Sequence, residues 1–187
     1  MRAVVTKHFG QQLIFSHFPV EVEQGSIVRL AGPSGSGKTT LMRILSGLES
    51  NEEPGNNDFL SHRFAWVFQE DRLAETMSGY KNLYYSVGPL SKKSAEEYFS
   101  MLGLDDISKP VSQYSGGMKR RLALLRAMLC PGEIIMLDEP FAGLDDRARE
   151  SACEFIMSMR KGRTIIFSGH DADGSIPADS TIAIQAC

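Results

Sequence analysis

Nine consecutive residues, Gly32-Pro33-Ser34-Gly35-Ser36-Gly37-Lys38-Thr39-Thr40, satisfy the phosphate-loop pattern G-x-x-x-x-G-K-[ST] in full. Glycines at 32, 35 and 37 let the backbone turn so that successive N–H groups point into one concavity, which suits a polyphosphate. Lys38 supplies a positive charge for the β and γ phosphates, and Thr39 offers a hydroxyl to Mg²⁺. The helix that starts here adds its positive dipole end. The chemistry predicted is the binding of a nucleoside triphosphate. From average residue usage, the bare pattern arises by accident in on the order of one chain in a few hundred of this size. The flanks strengthen it: Ile27-Val28-Arg29-Leu30-Ala31 reads as a short buried strand, and Leu41, Ile44, Leu45 and Leu48 recur at helical spacing.

Two further groups carry chemistry. Ile134-Ile135-Met136-Leu137 reads as a strand of a parallel sheet, and it ends in Asp138-Glu139. Asp138 is placed to organise a Mg²⁺ shell. Glu139 is placed to polarise an attacking water, provided it stays outside the metal's own ligands. Alone, such a run also reads as a strand entering a polar turn. In Tyr114-Ser115-Gly116-Gly117-Met118-Lys119-Arg120-Arg121 a Ser-Gly-Gly turn opens a helix with Met118, Leu122, Leu125 and Leu129 along one face, presenting another helix N-terminus to an anion. Alone, Ser115 there is an ordinary helix cap, and Lys119, Arg120 and Arg121 read as the helix's solvated face.

The elements that must hold these groups fit one domain. The 187 residues are 42% hydrophobic and 23% charged, which is globular and not disordered composition. A net charge of −3 gives no broad footprint for DNA or RNA, so nucleic acid is not an expected partner. Cys130, Cys153 and Cys187 are odd in number and far apart, which points away from a disulfide framework or zinc site and towards a reducing cytosol. Met1 to Gly10 lacks the apolar core of a signal peptide. No stretch reaches the ~20 apolar residues that cross a bilayer, so any membrane connection is expected to run through another chain. Glu49 to Ser61 reads as a surface loop, and His8, His17 and His62 have no companion residues that would give them a role.

Taken in order, these motifs resemble the ATP-binding cassette (ABC) nucleotide-binding domain, from about Phe9 to Asp171. Gly32 to Thr40 resembles its Walker A loop, Gln69 its Q-loop glutamine, Tyr114 to Arg121 its signature and Ile134 to Glu139 its Walker B strand. Ala142-Gly143-Leu144-Asp145 resembles the D-loop, and His170 in Ser168-Gly169-His170-Asp171 the switch histidine. Phe9 stands where the family carries an aromatic that stacks on adenine, with Phe15 and Phe18 as neighbouring alternatives. The resemblance implies an ATP sandwich in which the Walker A loop of one subunit and Ser115-Gly116-Gly117 of a second enclose one nucleotide. Gln69 would then sense Mg²⁺ and the attacking water, His170 would contact the γ-phosphate, and Asp145 would communicate across the dimer.

The implied fold is an α/β P-loop NTPase: a mostly parallel sheet flanked by helices, a small antiparallel β edge, and a helical subdomain from about 71 to 113. Ser91 to Leu102 is the clearest helix of that subdomain. The implied protein is an ATPase subunit, peripheral on the cytoplasmic face of the cell membrane, using ATP and Mg²⁺. It would work with integral membrane subunits, a second ATP-binding subunit of its own kind and an extracytoplasmic solute-binding protein. Phe68-Gln69-Glu70-Asp71-Arg72-Leu73 is similar to the Q-loop of nitrate, sulfonate and taurine importers. The chain departs from the family in a short interval between Lys38 and Gln69, which trims the antiparallel part, in Tyr114 for a leucine, and in Gly169 for a threonine. A soluble ABC ATPase of an assembly or repair complex is the alternative; a small phosphate-loop kinase offers no use for Ser115-Gly116-Gly117.

Overall fold

The computed structural model describes residues 1–53, 55, 57–169 and 176–185. Five strands form a wholly parallel sheet: β3 (Ile27–Ala31), β4 (Phe64–Val67), β5 (Ile134–Asp138), β6 (Thr164–Ser168) and β7 (Ser180–Ala183), in the order β4-β5-β6-β3-β7. A parallel sheet is covered on both faces, and all five residues of β5 and of β6 are buried, apolar except for Asp138, Thr164 and Ser168. The side-chain period of two splits β5 between two cores. Ile135 and Leu137 face one, while Ile134 and Met136 face the other.

The second core is closed by α1 (Lys38–Leu45) and by an antiparallel hairpin, β1 (Arg2–Phe9) with β2 (Gln12–Glu21). Helix α1 is shorter than its apolar spacing predicts. Gly47, at φ +73°, reverses the chain after Leu45, and Leu48 emerges 55% exposed instead of joining the buried face.

The stretch from Glu49 to Ser61 is more than a surface loop: it covers the free edge of β1. The N–H groups of Arg2, Thr6 and His8 donate to Asp58, Asn51 and Glu52 side chains, at 2.9, 3.0 and 3.0 Å. Asn51 Nδ2 donates to the carbonyl of Val4, and the N–H of Glu52 to that of Thr6. Alternate residues of β1 are thus satisfied, by side chains and by the Glu52 N–H, where another strand would pair, which protects an edge open to association. A 3₁₀ turn over Asp58–Ser61 then buries Phe59 completely.

The other core is helical. After β4 come α2 (Gly79–Val87), α3 (Lys92–Met101) and a 3₁₀ turn at Val111–Gln113, followed by α4 (Gly116–Leu129) and, beyond β5, α5 (Asp146–Met159). Side-chain oxygens of Ser78, Ser91, Ser115 and Asp145 cap α2 to α5 in turn, each accepting from a backbone N–H of the first turn. Leu83, Ala95 and Phe99 reach the same core as Leu122, Leu125 and Ile135. Helix α3 is the one expected between Ser91 and Leu102, with those two residues as its caps.

Tyr114 is accommodated by a glycine. It is 6% exposed, its hydroxyl donates to the Asp106 carbonyl at 2.9 Å, and burial pushes its phenol above the ordinary value, keeping it a neutral donor. A Cβ on Gly79 would stand 2.4 Å from Tyr114 Oη and 2.8 Å from Phe99 Cζ. Gly79→Ala is therefore expected to destabilise by about 1–3 kcal/mol despite alanine's higher helix propensity. In thermal unfolding this lowers Tm by roughly 2–10 °C, and an unchanged Tm would refute the packing argument.

Candidate functional site

Strands β3 and β5 lie either side of β6, so their carboxyl ends open on the same edge of the sheet. Beyond β3 the glycine loop turns into α1. Gly32 is needed for close approach: a Cβ there would stand 2.3 Å from the Ile184 carbonyl and 2.7 Å from Ser36 Oγ. Gly37 has φ +99° and lies against Ile14 and Phe15 of β2, so a side chain would be both strained and obstructed. Pro33, Ser34 and Gly35 are exposed at the loop's crest, while Ser36 and Lys38 are buried and Thr39 and Thr40 half-buried.

Lys38 Nζ donates to the carbonyls of Gly32 and Pro33, at 2.7 and 2.8 Å, which holds the ammonium inside its own loop. Ser36 Oγ is buried and has no hydrogen-bond partner among the described residues. A buried ammonium, an orphaned hydroxyl and a loop too close for side chains suit a polyphosphate.

The end of β5 meets this loop. Thr39 Oγ1 donates to Asp138 Oδ2 at 2.7 Å, and Ser168 Oγ, at the end of β6, donates to Asp138 Oδ1 at 2.7 Å. The N–H of Glu139 donates to the same Ser168 hydroxyl at 2.9 Å. The first turn of α1 and the ends of β5 and β6 are thereby tied into one relay. A hydroxyl beside a carboxylate is the donor set of a small hard cation that takes its remaining ligands from phosphate and water. Among the described residues no cluster of three acids, histidines or cysteines forms a self-sufficient metal cage. Glu139 is half-buried and adopts φ +48°, a left-handed conformation that costs free energy and must be held by its surroundings.

The remaining residues of interest are dispersed. Gln69 lies just beyond β4 and is exposed. Ser115 caps α4, accepting from the Met118 N–H at 3.2 Å, with Ser115 and Gly116 exposed and Gly117 half-buried. Asp145 caps α5, accepting from the Ala148 N–H at 2.8 Å, and is exposed. Of the three aromatics near the hairpin, Phe9 is 49% exposed, with Lys7 Nζ 5.3 Å from its ring centroid. Phe15 is buried, and Phe18 is half-buried and packs beside it, their rings 5.4 Å apart. His170 lies outside the described residues.

One reading of the sequence is corrected. Lys119, Arg120 and Arg121 are not a solvated face. Lys119 pairs with Glu75, and Arg121 Nη1 donates to the carbonyls of Leu102 and Gly103 at 2.6 and 3.0 Å. Arg120 is 3% exposed, and its guanidinium lies between the end of β4 and the end of β5. The signal was present but outweighed. Arg120 shares helical spacing with Ala123, Leu124 and Ala127, and α4 is buried on this side as well as along Leu122 and Leu125. Ser168 was also missed as a site residue, because its bonds to Asp138 and Glu139 depend on the pairing of β5 with β6.

A parallel sheet with a glycine loop leading from β3 into α1, and an acidic pair at the end of a neighbouring strand, defines a P-loop fold. The sequence pattern of the ABC transporter family matches residues 15–142, and the chain belongs to that family. The sulfate/thiosulfate import ATP-binding protein of Vibrio cholerae is 29% identical over 204 residues, covering 97% of this chain and 54% of that protein. The Fe(3+) ions import ATP-binding protein of Photobacterium profundum is 31% identical over 199 residues, covering 97% and 57%. The chain thus spans about half the length of the curated relatives it matches. A dimeric ATP-binding cassette solved with ADP and Pi superposes with a TM-score of 0.80 at 21% identity, covering 100% of this chain and 96% of that one. That likeness establishes the fold.

Proposed function

We propose that this chain is the ATP-binding subunit of an importer-type ABC transporter, hydrolysing ATP as a dimer to drive a solute through separate membrane subunits. The observation that carries the proposal is the Thr39–Asp138–Ser168–Glu139 relay, which brings the phosphate loop, a cation-binding oxygen pair and a general-base candidate to one sheet edge.

In this reading the loop from Gly32 to Thr40 wraps the phosphates with its N–H groups, and Lys38 exchanges its two carbonyl bonds for phosphate oxygens. Thr39 and Asp138, with Gln69, would hold Mg²⁺, which when bound neutralises charge on the β and γ phosphates. Glu139 accepts the proton of the attacking water, and His170 addresses the γ-phosphate. Phe9, the one exposed aromatic of the three, stacks on adenine. Ser115-Gly116-Gly117 closes over the nucleotide of a second copy, excluding water and adding the end of α4 to charge stabilisation. Asp145, beside that surface, links the two sites.

The chain acts as one ABC domain, its helical part from about 71 to 113 moving with the membrane partner. Among the described residues no helix is long and apolar enough to cross a membrane, which suits a peripheral subunit on the cytoplasmic face. Gln69→Ala is expected to uncouple transport from hydrolysis by more than it weakens ATP binding, measured in reconstituted vesicles; equal losses would contradict that role. An extracytoplasmic solute-binding protein completes the proposed system.

The test is affinity capture of the tagged chain from detergent-solubilised membranes, with ATPase activity read on the eluate and on a Glu139→Gln control. An integral membrane partner with Glu139-dependent hydrolysis supports the proposal. Activity with soluble partners alone replaces it with an ABC ATPase of an assembly or repair complex.

A further inference from the structure

We propose that Arg120 is a positioning residue for ATP hydrolysis, fixing the segment that carries Gln69 against the peptide that carries Glu139. The inference rests on the reading of the chain as an ATPase. The two residues expected to address the attacking water are far apart in sequence and sit past the ends of neighbouring strands. In the ladder itself their register is set last at Val67 against Leu137, so beyond that pair the backbones are free to diverge.

Arg120 closes this gap with one rigid group. Its Nη1 donates to the carbonyl of Phe68 at 2.6 Å, more weakly to that of Gln69 at 3.4 Å, and to Asp71 Oδ1 at 3.2 Å. Its Nη2 donates to the carbonyls of Asp138 and Glu139. One nitrogen serves each segment, and the plane of the guanidinium fixes their separation. An ammonium has one nitrogen on a flexible stem and no such fork, so lysine is not equivalent here.

The arrangement also explains how Glu139 keeps its left-handed backbone. Its N–H is held by Ser168 and its carbonyl by Arg120, so the strained residue is fixed from both sides. Arg120 Nε has no partner among the described residues. The side chain is thus placed to satisfy the two carbonyl segments and not to maximise its own bonding. Arg120 touches no reacting atom in this scheme; it acts through the geometry of Gln69 and Glu139.

A positioning role separates turnover from binding. In a preparation showing Glu139-dependent hydrolysis, Arg120→Gln is expected to lower kcat by about 100-fold, the effect of a misplacement on the order of 1 Å. KM and the affinity for a fluorescent ATP analogue should stay within about threefold of the parent chain. Arg120→Lys, which keeps the stem and charge and guards against loss of the fold, should recover only a small part of kcat.

A second readout does not depend on turnover. Trp66, the only tryptophan in the chain, stacks on Phe68 with ring centroids 4.7 Å apart and planes 7° apart. Addition of ATP and Mg²⁺ is expected to change Trp66 emission in the parent chain and to leave it unchanged in Arg120→Gln at saturating nucleotide. A kcat within threefold of the parent, a KM that rises in step with the loss of kcat, or an undiminished Trp66 response would overturn the inference. If the parent chain itself shows no Glu139-dependent hydrolysis, the ATPase reading fails, and the positioning role of Arg120 in hydrolysis falls with it.

Discussion

Glu139→Gln is expected to lower the steady-state rate of ATP hydrolysis by about 100- to 10,000-fold, the range contributed by a positioned general base. The substitution preserves side-chain shape and removes only the capacity to take a proton. It leaves Ser168 bonded to the Glu139 N–H and Arg120 bonded to its carbonyl, so the backbone at φ +48° stays held. The phosphate loop lies on a different strand end, and nucleotide affinity is expected to change by less than about threefold. Phosphate release together with equilibrium binding separates the two quantities. Residual hydrolysis above a tenth of the parent rate would remove Glu139 from the role of base.

Lys38→Met is expected to weaken ATP binding by about one to two orders of magnitude. Lys38 is the cation of the glycine loop, 8% exposed, and it is held by the carbonyls of Gly32 and Pro33. Transferring such donors to phosphate forms charge-assisted hydrogen bonds. Losing them costs about 1.5–3 kcal/mol, or roughly 10- to 140-fold in Kd for ATP. Methionine keeps the apolar stem, so thermal unfolding should stay near that of the parent chain. AMP has no β or γ phosphate, and its affinity should be nearly unaffected. Calorimetric titration with both nucleotides checks this, and equal losses for ATP and AMP would place Lys38 elsewhere than at the terminal phosphates.

The parts of the fold legible in the sequence are those whose signals are local. The apolar run of β3, the glycines after it and the spacing of Leu41, Ile44 and Leu45 identify strand, loop and helix without reference to the rest of the chain. The same holds for β5 with its terminal acids, for α3 between its serine and leucine caps, and for the cap at Ser115. What escaped depends on register between distant segments. Ser168 belongs to the site because β6 pairs with β5, and its place two residues before His170 gives no sign of a bond to Asp138. Arg120 sits in a basic triplet that resembles a wet helix face, and only the packing of α4 onto β4 and β5 shows it to be enclosed. The stretch after α1 is polar because its side chains pair with the edge of β1, a use that composition cannot distinguish from solvation. Leu48 misled in the opposite direction, since α1 ends at Leu45 and Gly47 reverses the chain one residue before Leu48.

The central claim is that two copies of this chain close around ATP, each supplying Ser115-Gly116-Gly117 to the other's phosphate loop. The most direct measurement is sedimentation velocity of Glu139→Gln with ATP and Mg²⁺, alongside the same protein with ADP. The account expects a stable dimer with ATP and a monomer with ADP, the ATP-dependent dimer being lost in Glu139→Gln/Ser115→Arg. A Glu139→Gln protein that binds ATP tightly and remains monomeric would contradict it.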